Sequence, residues 1–549
     1  MVQQRTSRRE LLKTGAGAVT ASAFLAGCSG KLDTITGSDS EGDALRIGTD
    51  SDPGSPLNIY ASSSSKFDWM KDLVYDRLLF PSPYVDQKEP GLATETNQID
   101  ETTWTATVRS DAKWHDGEPF TADDVVFTYR YYRDGPANRY THHVSQAPHI
   151  KTIEAVDDQT VRFEGAYPTP TLAAITFADL PIIPKHVWKD IDDPYKYGEL
   201  PVGTGPYELV DYEAGERLRL RRNEDYFVGT PSVDEIVIPI VTDHSTMFTA
   251  LKSGEIDTTS VAVPPSTTSQ FESNEDLDVV HATSLTLVEI RINYERSPFD
   301  THDFRHAVSR SIDKKSILDV VMLGQGIAGT KGYPHPKSPW TASDIEQPYD
   351  PDEARTTLDE LGFEDSDGDG IRESSNGEKL SFTLKVPSNE PSYIRAAELV
   401  AEDLTAVGLE TKAKTLDPGS IGDLFSSRDF DMYISSITPH GVADPDQFVM
   451  SHRSGYLWKK GISYPAWDDL FEKWKATATI EARKNVLFEM QHLFNEQPTS
   501  IPLWYPEPRF AYRPKKYDAW AESPGYGIHH KWSLLPKDVR GTTVTKSFD

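Results

Sequence analysis

At 549 residues, with 37% hydrophobic and 10% aromatic side chains, the chain is too rich in core formers to be disordered and too long for one ordinary core. Fifty-six basic against 86 acidic residues leave a net charge of −30, which repels phosphate backbones and excludes nucleic acid as a partner. The single cysteine excludes intramolecular disulfides and cysteine-based metal clusters.

Residues 1–28 read as an address and not as a fold element. The stretch SRRELLK (7–13) resembles the twin-arginine export signal, with Arg8 and Arg9 as its pair. Residues 14–26 are small and weakly apolar, and too few to span a bilayer, which takes ~20. They run into Leu25-Ala26-Gly27-Cys28, which resembles a lipobox, so Cys28 is the expected site of lipid attachment and the lipid the only expected membrane anchor. Residues 29–43 are polar and rich in Gly, Ser and Asp, as in a flexible tether. The acids scatter evenly over the rest of the chain, a surface suited to concentrated salt, where self-repulsion is screened.

From Leu45 short strands, turns and amphipathic helices alternate, the pattern of an α/β protein. A strand is expected over 103–109, a turn at Asp116-Gly117, then a helix capped by Thr121 with Asp124 at its third position and Val125, Val126, Phe127 and Tyr129 as its apolar face. The stretch VGTGPY (202–207) places two glycines where unusual backbone angles are expected, ahead of a hairpin over 207–212 and 217–222. Leu218 and Leu220 point to one side of it, and Arg217, Arg219 and Arg221 to the other. Ser245 is placed to cap a short helix that Gly254 ends. Helices follow with Phe304, Ala307 and Val308 on one face and another after Asp313, then a strand over 380–386, a helix over 394–407 and a strand near 501–504. GQGIAG (324–329) has the spacing of a dinucleotide fingerprint but follows a helix and not a strand, so it is expected to be a loop.

Several of these stretches resemble the landmarks of solute-binding protein family 5, the dipeptide, oligopeptide and nickel-chelate binding proteins: KWHDGEPFTADDVVF (113–127), VGTGPY, Arg222-Asn223 with Tyr226, LKSGEID (251–257) and FRHAVSRSID (304–313). They occur in order between about Leu45 and Trp504. The resemblance implies a periplasmic-binding-protein-like fold of type II, with two main lobes and an extra domain, in a monomer that makes and breaks no covalent bond. Domain I would comprise 44–83, 202–292 and 498–549, domain II 84–201 and domain III 293–497, with crossings near Pro83, Pro201, Asn293 and Gln497. A peptide or peptide-like solute would lie in the interlobe cleft, closed by hinge motion, for delivery to ABC permease subunits.

Peptide-binding members resemble one another in an Asp, shortly before an acidic-Pro pair, that holds the ligand's free amine. In the matching stretch, 431–448, that position falls on His440 or Gly441, and neither is a carboxylate. An ammonium buried without a partner costs several kcal/mol, so Asp444 is the acid left to take over. His440 suits a carboxylate, a sugar hydroxyl or a metal chelate instead. Ser64 and Ser65, in the stretch resembling the N-terminal segment that passes the cleft, are the expected hydroxyl contacts. Asp365, Asp367 and Asp369 have the alternation of a calcium loop, although position twelve is Asn376 where an EF-hand needs a Glu, and Glu373 comes three residues early. Bound calcium would be structural, and no other cofactor is implied. The competing reading is a secreted, lipid-anchored hydrolase, against which the chain has no Gly-x-Ser-x-Gly, His-Glu-x-x-His or Walker sequence.

Overall fold

The computed structural model describes residues 43–54, 57–60, 68–80, 89–138, 140–145, 149–437, 446–455, 463–525 and 527–540. Apart from Asp43 they all belong to the second of two units, which begins at Ala44. Arg8, Arg9, Cys28 and all of the tether but Asp43 lie outside the described residues.

Three large sheets carry the α/β architecture. The first has seven strands in the order Asp278–His281, Arg509–Tyr512, Thr258–Thr259, Leu45–Gly48, Glu235–Pro239, Arg217–Arg222 and Tyr207–Glu213. Leu45–Gly48 runs parallel to both neighbours, and the other pairs are antiparallel. The expected hairpin forms its edge. Leu218 and Leu220 are buried, while Arg217, Arg219 and Arg221 pair with Glu213, Glu235 and Glu208 at 2.6, 2.5 and 2.6 Å, the two-residue alternation of a half-covered strand.

The second sheet is a four-stranded antiparallel one, ordered Ala93–Gln98, Thr103–Val108, Thr160–Gly165 and Ile150–Ala155. Helix Ala122–Asp134 covers it with Val125, Val126, Tyr129 and Tyr132 buried and Phe127 half-buried. The expected cap is present: the Thr121 backbone N–H donates to the Asp124 carboxylate at 3.0 Å.

The third sheet has six strands, ordered Gly326–Ala328, Ser500–Pro506, Leu287–Ile292, Met432–Ile437, Ser381–Pro387 and Glu410–Leu416. Ser381–Pro387 and Glu410–Leu416 are parallel and joined through helix Pro391–Ala406, the crossover that parallel strands require. The Gly-rich stretch at 324–329 is not all loop as expected: Gly326–Ala328 pairs with Ser500–Pro506 as the short edge strand, and it offers no strand-to-helix turn for a nucleotide.

Two local expectations are corrected. Gly203 and Gly205 do not have positive φ. They are small because a Cβ would stand 1.8 Å from the Val74 carbonyl oxygen at Gly203 and 2.4 Å from that of Leu73 at Gly205, where the chain passes the end of helix Asp68–Val74. Helix His244–Ser253 is capped by Asp243, which accepts from the Thr246 N–H at 2.7 Å, and not by Ser245, although Gly254 ends it at φ 87° as expected.

The cores divide unequally among the sheets. One continuous cluster joins the seven-stranded sheet (Leu45, Leu218, Ile236) to the four-stranded sheet (Trp104, Phe163) and its helix (Tyr129). The six-stranded sheet has clusters of its own, one on each face: Val288 and Ile290 contribute to one and Leu287 to the other. The chain passes from the seven- to the six-stranded sheet between His281 and Leu287 and returns between Pro506 and Arg509. These passages lie on the N-terminal side of Asn293 and the C-terminal side of Gln497.

Candidate functional site

Ser64 and Ser65 lie outside the described residues, but both flanks of their segment are bolted down. Before it, the Asn58 amide donates to the Pro194 and Tyr197 carbonyls at 3.1 and 2.6 Å. The buried Tyr60 ring sits among Tyr131, Tyr132, Trp188 and Tyr195, at centroid distances of 5.4, 5.9, 6.2 and 5.5 Å. After it comes helix Asp68–Val74. Between the flanks lies a shallow open recess, apolar apart from Asn58, Lys71 and Tyr75, with enclosed room for about one water molecule and not for a solute.

Helix Asp68–Val74 is held by buried charge. Asp76 accepts from Thr204 Oγ1 at 3.0 Å, Tyr226 Oη at 2.9 Å and Lys531 Nζ at 2.5 Å, and Lys531 also donates to the Tyr75 carbonyl at 3.1 Å. Asp72 pairs with Arg77, which donates to the Asp179 carbonyl at 3.2 Å. Burial pushes the Asp72 carboxyl up, but the Lys531 and Arg77 charges outweigh it and hold the group below its usual range. Thr204 and Tyr226, two landmark residues with no assigned role, prove to be partners of Asp76. Nothing in the pattern of the chain connects Asp76 with Lys531, 455 positions later.

His440, Gly441 and Asp444 likewise lie outside the described residues, between two buried flanks. Strand Met432–Ile437 pairs with Leu287–Ile292 on one side and Ser381–Pro387 on the other. Beyond the segment, helix Asp446–Ser451 buries Phe448 and Val449. Next to it, His452 is buried with its ring 5.2 Å from that of Tyr333, 4.9 Å from Trp467 and 5.2 Å from Phe494. Described residues on both sides of each stretch expected to carry the ligand are therefore anchored, those of one near the seven-stranded sheet and those of the other in the six-stranded region.

Arg483, which sequence reasoning missed, bridges two regions. It sits buried in helix Ile480–Glu496 with its guanidinium 4.0 Å over the Trp474 ring. It donates to Thr171 Oγ1 at 2.5 Å and to the Pro168 carbonyl at 3.3 Å, just past the four-stranded sheet. On the seven-stranded side, Gln325 Nε2 reaches Thr268 Oγ1 at 3.3 Å. The sequence signal available was a lone Arg among apolar helix positions, which does not name its partner.

Asp365, Asp367 and Asp369 are brought together, with Glu373 as a fourth carboxylate, and Lys379 reaches into the group. No helix among the described residues is long and apolar enough to cross a membrane.

Residues 87–459 match the sequence profile described as bacterial extracellular solute-binding proteins, family 5. The oligopeptide-binding protein AppA of Bacillus subtilis is 26% identical across 93% of this chain and 95% of its own length. Among solved structures, the ABC transporter substrate-binding protein CtaP of Listeria monocytogenes superposes with a TM-score of 0.78 at 24% identity, covering 89% of this chain and 98% of that one. NikZ of Campylobacter jejuni, solved with Ni(L-His), superposes with a TM-score of 0.76 at 21% identity over 89% of this chain and 98% of its own.

Proposed function

The chain belongs to family 5 of the extracellular solute-binding proteins, and from that premise we propose that it clamps a peptide or peptide-like solute between two lobes and hands it to a membrane permease. Family members are non-catalytic, and the chain is the extracytoplasmic substrate-binding component of an ABC importer. The hydrolase reading is thereby set aside.

One lobe is a body made of domain I and domain II, that is, the seven- and four-stranded sheets; the other is domain III, around the six-stranded sheet. We place the boundaries of domain III at the passages 282–286 and 507–508, outside the expected 293 and 497, because strands Leu287–Ile292 and Ser500–Pro506 belong to its sheet. The observation that carries the reading is the division of cores: the first two sheets share one, the third has its own, and only two passages of described chain join it to the body. Shared cores resist shear, whereas separate cores joined by two strands can rock. The Arg483 contact to Thr171 and Pro168 then latches the closed form. X-ray scattering on the mature protein tests this: a solute that binds should reduce the radius of gyration, and binding with no change would overturn the clamp.

The amine of a bound peptide falls to Asp444, with His440, Gly441, Ser64 and Ser65 completing the contacts. A metal chelate is the second reading, favoured by His440 at the amine position and by the likeness to NikZ, which was solved with Ni(L-His). Mass spectrometry of material copurifying with the protein separates the two, since a peptide and a nickel–histidine complex differ in mass and in metal content. The export route proposed is the twin-arginine one, through Arg8 and Arg9, with lipid on Cys28. Cys28→Ser should release the protein from the membrane fraction, and Arg8→Lys with Arg9→Lys should block its export. The acidic surface points to a salt-adapted source, and equal stability with and without molar salt would remove that part of the reading.

A further inference from the structure

Helix Pro351–Glu360 and strand Ser381–Pro387 are joined by an acidic loop folded around one point. Oxygens of Asp365, Asp367, Asp369 and Glu373 all lie within 4.8 Å of one another. The three aspartates are oriented by backbone amides. Asp365 accepts from the Gly368 and Asp369 N–H groups at 2.8 and 3.1 Å and, on its other oxygen, from Gly370 at 2.9 Å. Asp367 accepts from Asp369 at 3.1 Å, and Asp369 from Ile371 at 3.0 Å.

Exposed acids held this way are common turn chemistry, and alone they would carry nothing. Glu373 is different. Its side chain is 8% exposed, and one oxygen accepts from the Ser366 N–H at 2.8 Å. The other, Oε1, is buried with no hydrogen-bond partner and lies toward Lys379, whose ammonium also meets Asp367 and Asp369. Its nearest cation is Lys379 Nζ at 3.9 Å, beyond hydrogen-bond reach. Lys379 stands closer to Asp367, at 3.0 Å, and in contact with Asp369. One ammonium thus faces four carboxylates, one of them with an unanswered buried oxygen, and that arrangement is costly unless a second positive charge completes it.

We propose that this loop binds one calcium ion through Asp365, Asp367, Asp369 and Glu373, and that Lys379 is the ion's built-in competitor. The donor set is all oxygen, which disfavours zinc and other N/S-seeking metals. Four clustered carboxylates suit the six to eight ligands of calcium better than the strict octahedron and retained waters of magnesium. Glu373, three residues ahead of the EF-hand position, supplies the closing carboxylate that Asn376 cannot. Lys379, 40% exposed, swings to solvent when the ion binds. The ion ties the Glu364, Glu373 and Lys379 backbone bridges together and stiffens the region of the six-stranded sheet, so the inference holds whichever solute the cleft takes.

The test uses the mature full-length protein, stripped with chelator and dialysed against calcium or magnesium in buffered sodium chloride. The expected result is one calcium per chain, a rise of several degrees in the unfolding midpoint with millimolar calcium, and a smaller rise with equal magnesium. Asp367→Asn, an exposed change that leaves Glu373 in place, should weaken binding by about tenfold through the lost ligand charge, and Lys379→Gln should strengthen it. Three results would overturn the proposal: equal effects of the two ions, a calcium effect that survives Asp367→Asn combined with Asp369→Asn, or no binding at millimolar calcium in both the natural protein and Lys379→Gln.

Discussion

The two parts of the molecule are stabilised by different means. In the body, one apolar cluster runs through two sheets, and chain segments far apart in sequence are stapled by the Asp72, Asp76, Arg77 and Lys531 charges. The six-stranded region instead divides its core between the two faces of a single sheet and touches the body through isolated polar contacts such as Arg483 to Thr171. Opening the charge staple breaks buried ion pairs, whereas parting Arg483 from Thr171 and Pro168 breaks two hydrogen bonds and leaves its contacts with Trp474 and Thr477 in place.

Acid is the strongest way to break this asymmetry. Burial lowers His529 to about 3 and His530 to about 4, the neighbouring His530 charge adding to the effect on His529; in the six-stranded region burial, with Lys337, lowers His335 to about 4. With folded values below the unfolded one, only the unfolded chain takes up protons as pH falls below about 6.5. Stability is therefore full above that pH and is lost on the way down, by about 3 kcal/mol per group at pH 4. Burial lowers His115 in the body and His306 in the six-stranded region as well, which makes three such groups against two, so fluorescence and circular dichroism should find the body unfolding first. Simultaneous loss of both regions would deny the difference.

Lys531→Met removes the cation facing Asp76 and Asp72 and should cost about 3–5 kcal/mol in urea unfolding. A cost below 1 kcal/mol would mean that the staple contributes little.

Alkali should act on the other half. Lys314, buried with its ammonium donating to Gln347 Oε1 at 2.7 Å, is lowered by burial and then by Arg310 to about 7. Below that pH it is charged in both states and its burial cost is fully present. Between 7 and its unfolded value only the unfolded chain keeps the proton, so stability rises, by about 2 kcal/mol from pH 7 to 9. Lys314→Met should flatten that rise, and a rise left unchanged would assign it elsewhere.

The mildest test is Thr171→Val, which removes one acceptor of Arg483 while keeping the packing. Loss of about 1 kcal/mol from the closed form alone should weaken solute binding about fivefold with the unfolding midpoint almost unmoved. Affinity equal to that of the natural protein would remove the latch from the closing mechanism.

Local chemistry was legible in the chain by itself: the edge hairpin from its Leu/Arg alternation, the helix begun by Thr121 and Asp124, the αL stop at Gly254, the acidic loop at 365–369, and the family from landmarks in order. Each depends on neighbours within a few residues, where periodicity and turn geometry are set by covalent structure. Other features required the fold. The glycines of VGTGPY are small because the end of helix Asp68–Val74 passes over them. Asp76 meets Lys531, Arg483 meets Thr171, and Glu373 closes the acidic loop where position twelve does not. The placement of the two chain passages, and the merging of two cores into one while a third stays apart, were also decided there. Contacts between residues hundreds of positions apart leave no periodic trace in one sequence, because they are selected by the packing of whole sheets.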